Sequence, residues 1–422
     1  RSGSLTVAND ISGSGSLTNA GTGTITLLGN NSYTGGTSLT AGTLVLGSST
    51  ALGPSGTITL SGGGLKYSAS NTADYSARFN LANNTTVTVD TAGQNVTWSS
   101  ALNTATGTSL VKNGSGTLLL SGANQWQGLS SPATRGLTIN AGTLELSGSS
   151  ITVGNGITNN GTLTFNSSSA ISIGSRISGS GVLIKSGTGD LTLSSGNDYY
   201  GGTRILAGNL IANGTSGTIL PTLGSIGTIS FEGGTLKYTS ATNDINDYSS
   251  RFSTAANQAY KFNISGTRTW ASDLTSSGGT LTLDGGTLVL SGNNSYSGAT
   301  TVNSGTLVFS GNNTYSGAIT VNGGTLQLGN GGTTGSVAGG IALKGSGNAM
   351  LKINRSGNFT LSNTISAAGG SPGYLDVSLV NDTDVVTLGP VAEWIHERGI
   401  ALELCPSSNL QTGVVYELFE TN

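Results

Sequence analysis

Through most of the chain apolar residues alternate with Thr or Ser in short runs, among them Thr24-Ile25-Thr26-Leu27, Thr57 to Leu60, Leu118 to Leu120, Leu137 to Ile139, Leu163 to Phe165, Leu191 to Leu193, Leu281 to Leu283, Leu288 to Leu290 and Leu307 to Phe309. A period of two puts one set of side chains on a buried face and the other toward solvent. The pattern therefore predicts short β-strands, with β-branched Thr on the exposed pleat. Gly-Ser-Gly, Asn-Asn-Gly and Gly-Gly stand between the runs, where sharp corners need positive φ. Helical periodicity is almost absent before about residue 388.

A second pattern rides on the first. Five times an Asn (once an Asp), a variable residue, an aromatic, a variable residue and a Gly follow one strand and lead to a Gly-Thr-Leu-like strand. The copies are Asn31-Ser32-Tyr33-Thr34-Gly35, Asn124-Gln125-Trp126-Gln127-Gly128, Asp198-Tyr199-Tyr200-Gly201-Gly202, Asn294-Ser295-Tyr296-Ser297-Gly298 and Asn313-Thr314-Tyr315-Ser316-Gly317. Tyr296 and Tyr315 are 19 residues apart, close to one coil of a β-solenoid and too short for a four-stranded propeller blade. The spacing favours a parallel solenoid of about seventeen coils of roughly 22 residues. In each unit the Asn is expected at a corner, bonding backbone groups that the turn leaves open. The aromatics Tyr33, Trp126, Tyr200, Tyr296 and Tyr315 either pack that corner or present a ladder of rings to carbohydrate.

A longer repeat is also present. Leu65-Lys66-Tyr67 recurs as Leu236-Lys237-Tyr238, Asp74-Tyr75-Ser76-Ala77-Arg78-Phe79 as Asp247-Tyr248-Ser249-Ser250-Arg251-Phe252, and Trp98 as Trp270. A block of several coils is duplicated, with the same insertion after the Lys-Tyr strand. Asp and Arg four apart suit an ion pair on a helical turn, which the aromatics dock on the coils; the other reading is a pair of ligand-contacting protrusions.

Composition narrows the function classes. With 8% charged residues and a net charge of −3 the chain lacks the basic footprint of a nucleic-acid binder or a polybasic membrane patch. Sixty-nine Gly with six Pro and no Gly-X-Y period exclude collagen. Cys405 is the single cysteine, so no internal disulfide is expected. No apolar run long enough to span a bilayer occurs, and Arg1-Ser2-Gly3 does not open a secretory signal, so an exported chain is expected to start at a processed or trimmed end.

Catalytic constellations are sparse. Before residue 370 there is no His, and Asp10, Asp74, Asp90, Asp190, Asp198, Asp244, Asp247, Asp273 and Asp284 are scattered, with Asp244 and Asp247 the nearest approach to a cluster. No Gly-Asp-Ser-Gly stretch accompanies a His, no Walker sequence is present, and Gly187-Thr188-Gly189-Asp190 matches part of a Ca²⁺-binding nonapeptide once only. We expect no catalytic residue, no metal site and no cofactor.

The strand, Asn-x-Tyr-x-Gly-Gly-Thr, strand, Gly-Thr-Leu unit resembles the passenger-associated, autotransporter-type β-strand repeat of bacterial surface proteins. Its clearest copies are Gly23 to Leu46, Gly187 to Ile211, Gly286 to Phe309 and Gly305 to Leu328, with a looser one from Gly116 to Leu146 carrying Trp126. The resemblance implies an all-β, right-handed parallel β-helix over residues 1–372, exported through a Gram-negative outer membrane and displayed or released outside. It also implies a translocating barrel, expected outside this sequence. Its partners would be host or neighbouring-cell surface glycans or proteins, or a second copy of itself, with no nucleic acid.

After about residue 373 the composition changes. Val391 to Arg398 reads as an amphipathic helix containing His396, Gly399 as its stop, and Ile400 to Leu404 as a buried strand. Residues 388–418, including Leu404-Cys405-Pro406-Ser407-Ser408-Asn409, resemble a helix-strand-loop element of the adenosine deaminase family. That family's zinc-binding His motifs are missing, so neither zinc nor deamination is expected, and Cys405 reads as a core residue. The tail 373–422 is α/β-like, either a fusion or a cap on the last coil.

Three function classes follow: a non-enzymatic extracellular passenger serving as adhesin, spacer or fibre component; a carbohydrate-active β-helix enzyme; and a self-association module joining cells.

Overall fold

Alternating Leu, Ile and Val on one side of each short strand, with Thr and Ser on the other, can be buried only if strands stack face to face around a common interior. In a computed structural model they do so. The structure describes residues 2–103, 107–126, 136–214, 221–344 and 349–368, and the strand residues 374–379, 386–388 and 401–404. Its strands pair in parallel with the strand one coil further along the chain, giving a parallel β-solenoid of about 17 turns. The chain divides into two compact units, Arg1–Thr228 and Ile229–Asn422, and each carries one copy of the Lys-Tyr…Trp block.

In the first unit a nine-stranded sheet runs Leu5–Val7, Thr24–Leu27, Thr43–Leu46, Gly64–Lys66, Thr86–Asp90, Ser109–Asn113, Leu137–Ile139, Ile157–Asn159 and Ile177–Ser178. A second sheet stacks Val96–Trp98, Thr117–Leu120, Thr143–Leu146, Thr162–Phe165, Val182–Lys185 and Thr203–Ile205. In the second unit the main sheet includes Ala259–Asn263, the long strands Thr280–Leu290 and Thr300–Phe309, then Thr325–Leu328 and Met350–Arg355. Register partners are 19 residues apart where Leu281 faces Thr300 and 27 apart where Leu110 faces Leu137. Coil length therefore varies.

The register stacks like on like. Leu44 faces Leu65, Leu65 faces Val89, and all three are buried. Each such side chain contributes about 1.5–3 kcal/mol by leaving water, and a one-residue slip would turn the whole row outward. The expected helical turn of the insertion is a short 3₁₀ turn in both copies, Ser76–Arg78 and Ser249–Arg251. In the tail, the strand expected at Ile400 to Leu404 is found at Ala401–Leu404, parallel to Tyr374–Leu379 with Leu402 opposite Leu375. The helix expected over Val391 to Arg398, its His396, and Cys405 lie outside the described residues.

Candidate functional site

The recurrent corner is the place where the chain repeats its chemistry. At the first copy the Asn31 Oδ1 accepts the backbone N–H of Ile11, one coil earlier, at 2.8 Å, and its Nδ2 donates to the carbonyl of Ala51, one coil later, at 2.8 Å. One side chain so joins three successive coils, satisfying a donor and an acceptor that a corner otherwise strands. Two residues on, Tyr33 is 1% exposed, its Oη hydrogen-bonded to Thr37 Oγ1 at 2.7 Å. Gly36 then turns the chain at φ +87°, where a Cβ would lie 2.4 Å from the Thr57 carbonyl oxygen. Asn, aromatic and Gly-Gly-Thr form one structural device.

The other copies use the same parts. Asn294 Oδ1 accepts from Leu274 N at 3.0 Å, and Tyr296 Oη bonds Thr300 Oγ1 at 2.6 Å. Asn313 Nδ2 donates to Ser336 O at 3.1 Å, and Tyr315 Oη donates to Ala318 O at 3.0 Å. The Tyr296 and Tyr315 rings pack with centroids 4.4 Å apart. Asn124 Oδ1 accepts from Leu102 N at 3.3 Å, and Trp126 is fully buried. Burial raises the phenol pKa of Tyr33, Tyr296 and Tyr315. The rings of Tyr33, Trp126, Tyr296 and Tyr315 fill the interior.

The third copy requires a correction. Its Asn is Asn197, not Asp198: Asn197 Oδ1 accepts from Ile177 N at 2.7 Å and its Nδ2 donates to Thr222 O. Its inward aromatic is Tyr199, 0% exposed and bonded to Thr203 Oγ1 at 2.7 Å, while Tyr200 is 52% exposed. The repeat is thus one residue out of the register read from sequence. The run Gly201-Gly202-Thr203, parallel to Gly35-Gly36-Thr37, is the signal that fixes it. The displaced Asp198 faces outward and forms a two-pronged ion pair with Arg176 of the preceding coil, Nε to Oδ1 at 2.8 Å and Nη2 to Oδ2.

The duplicated insertion also differs from expectation. Arg78 makes no ion pair with Asp74. Its guanidinium donates to the carbonyls of Leu52, Gly53, Ser55 and Gly56, closing a corner of an earlier coil. Asp74 accepts from Ser76 N and, one coil later, Ser99 N, each at 2.8 Å, and Asp247 repeats this with Ser249 N and Ala271 N. Backbone groups left open by the turn compete for these charges better than the distant partner does. Of the two acids nearest to a cluster, Asp244 is buried and accepts from Tyr248 Oη at 2.8 and 2.9 Å. Among the described residues no group of three or more His, Cys, Asp or Glu is placed to hold a metal ion.

Two lysines were not foreseen. Lys112 occupies the inward row between Val89 and Ile139, fully buried. Its ammonium reaches the corner and donates to the carbonyls of Asn113, Gly114 and Ala141 at 2.7–3.0 Å. Lys185 stands likewise between Phe165 and Ile205 and donates to Gly187 O and Ala207 O. Burial lowers both, Lys112 to about 8. On the outer side of the nine-stranded sheet that holds Lys112, a shallow depression of about 280 Å³ opens at Gly64, bordered by Thr43, Thr88 and the Lys66–Asp90 ion pair at 3.0 Å.

The fold and its corners define a parallel β-solenoid whose repeat residues join one coil to the next. Residues 17–46, 110–146, 183–212, 283–308 and 303–328 match the passenger-associated-transport-repeat family, so these segments of the solenoid are similar to that repeat. Separately, a stretch of 49 residues, 10% of the chain, is 49% identical to adenosine deaminase of Mycobacterium leprae (strain TN) and covers 14% of that protein. No solved structure matches the chain. Among the described residues no helix is long and apolar enough to cross a membrane.

Proposed function

We propose that the chain is a non-enzymatic passenger working outside a Gram-negative cell, as an adhesive or spacing element of its surface. The supporting observation is how the repeat uses its chemistry. Asn31, Asn197, Asn294 and Asn313 bond neighbouring coils, and Tyr33, Tyr199, Tyr296 and Tyr315 are buried. The repeat residues build a scaffold, and contact with partners falls to the outward positions between them. Array proteins use extended surfaces of this kind for recognition. The deaminase-like stretch adds no catalytic residue to this reading.

The test is direct. Beads coated with the purified chain are expected to adhere to bacterial or host cells, and incubation with plant and bacterial polysaccharides is expected to release no shorter chains. Depolymerisation would replace this reading with the carbohydrate-active one. Beads that stick only to one another would replace it with self-association.

A further inference from the structure

The third corner differs from the rest on its outer side. Position by position, Tyr200 stands where the other copies have Thr34, Gln127, Ser297 and Ser316, and Asp198 where they have Ser32, Gln125, Ser295 and Thr314. Arg176, which precedes the residue bonded by Asn197, stands where the equivalent coils have Asp10, Ala101, Asp273 and Asn293. In a chain with 8% charged and 6% aromatic residues, one corner collects a cation, an anion and an aromatic, all facing out. None is needed by the scaffold, because Asn197, Tyr199 and Thr203 already complete it.

The geometry suits a specific chemistry. Asp198 and Tyr200 alternate with the buried Asn197 and Tyr199, so they project to the same outer side. Their backbone N–H groups bond Ile177 O and Gly179 O of the preceding coil, each at 3.0 Å, which fixes both on a rigid base. Tyr200 is 52% exposed. The Arg176 and Asp198 side chains are 43% and 30% exposed. On the next coil Ile226, 59% exposed, precedes Gly227, which lies close against the Tyr200 carbonyl.

We infer that Arg176, Asp198 and Tyr200 form a binding site for a neutral saccharide ring. A pyranose offers an apolar face of C–H groups, which an amphipathic aromatic covers, and adjacent hydroxyls that both donate and accept. The carboxylate accepts from one hydroxyl while guanidinium N–H groups not used by Asp198 donate to its neighbour, both charge-assisted. The pair is neutral overall, so a neutral sugar fits better than an anionic polymer.

The inference rests on the adhesive reading above and gives it a ligand class. The probe is a printed array of neutral oligosaccharides of hexose and N-acetylhexosamine, followed by calorimetry with the best binder. The full chain is expected to bind, and Tyr200→Thr and Asp198→Ser each to weaken binding roughly tenfold or more, about 1.4 kcal/mol. Melting of both variants should match the wild type, because the three side chains lie outside the core. No binding on the array, or equal binding by wild type and Tyr200→Thr, overturns the site. So does loss of self-association, instead of sugar binding, in Tyr200→Thr. Wild type and Tyr200→Thr adhering equally to cells and binding sugar equally overturn the site and leave the surface role standing. Sugar binding through Tyr200 without adhesion to any cell upholds the site and removes the adhesive role.

Discussion

Asn294 and Asn313 occupy the same corner on successive coils, and a single oxygen, Asn313 Oδ1, accepts both the backbone N–H of Asn294 at 3.0 Å and its side-chain amide at 2.8 Å. Both residues are buried. Asn313→Ala would leave the Asn294 backbone N–H without a partner out of water and its side-chain amide with the Gly292 carbonyl alone, a loss of about 2–3 kcal/mol. Urea denaturation followed by circular dichroism checks it. Asn313→Asp keeps the acceptor but loses the donations to Gly311 O and Ser336 O, so it too should destabilise. A fully stable aspartate variant would contradict the role of the amide.

The paired rings of Tyr296 and Tyr315 separate packing from hydrogen bonding. Tyr296→Ala opens a cavity in the interior and should cost about 3–5 kcal/mol. Tyr296→Phe keeps the packing and loses the bond to Thr300, about 1 kcal/mol. The same denaturation experiment should rank the two variants in that order.

Arg78 and Asp74 act on different partners, so their effects should add. Arg78→Ala removes bonds to four carbonyls, and Asp74→Ala removes two backbone acceptances. Each should destabilise by about 1–3 kcal/mol. A double-mutant cycle should return a coupling within about 0.5 kcal/mol of zero. A coupling above about 1 kcal/mol would restore the ion pair that four-residue spacing suggests.

Alkaline titration should show two opposed slopes. An unfolded lysine titrates near ~10.4 and an unfolded tyrosine near ~10, whereas folded Lys112 sits at about 8 and burial pushes folded Tyr260 up to about 12. From about pH 8 the unfolded chain holds lysine protons that the folded chain has shed, so stability rises with pH. Above about pH 10 it loses tyrosine protons that the folded chain keeps, and stability falls. The denaturation midpoint should climb and then drop, and Lys112→Met should reduce the climb, leaving the part carried by Lys185, while leaving the drop. An unchanged climb in that variant would exclude Lys112 as its source.

Much of this architecture is written in local pattern. Alternation fixed the strands such as Thr43–Leu46, and the 19-residue step from Tyr296 to Tyr315 fixed the coil. Register at a corner is harder where two neighbouring residues fit one position, as Tyr199 and Tyr200 do: both are aromatic, and only the inward one matches the Gly-Gly-Thr that follows. The Arg78 contacts were hidden for another reason. Its partners are carbonyls of an earlier coil, and backbone acceptors leave no trace in residue identity. Lys112 has the same invisibility, since a lysine in an apolar row shows nothing of the carbonyls waiting at the corner. The outward group at Arg176, Asp198 and Tyr200 emerges only when residues 22 and 24 apart are stacked.

The two-sided reach of Asn31 gives the stack a chemical polarity. Its oxygen is met by a coil that precedes it in the chain, its amide nitrogen by one that follows. A partly built array therefore ends in an amide with a hydrogen still to give, and the next length of polypeptide supplies the carbonyl that takes it. The amino-terminal edge of such a stack instead presents an amide oxygen still to accept, so its two ends are chemically unlike.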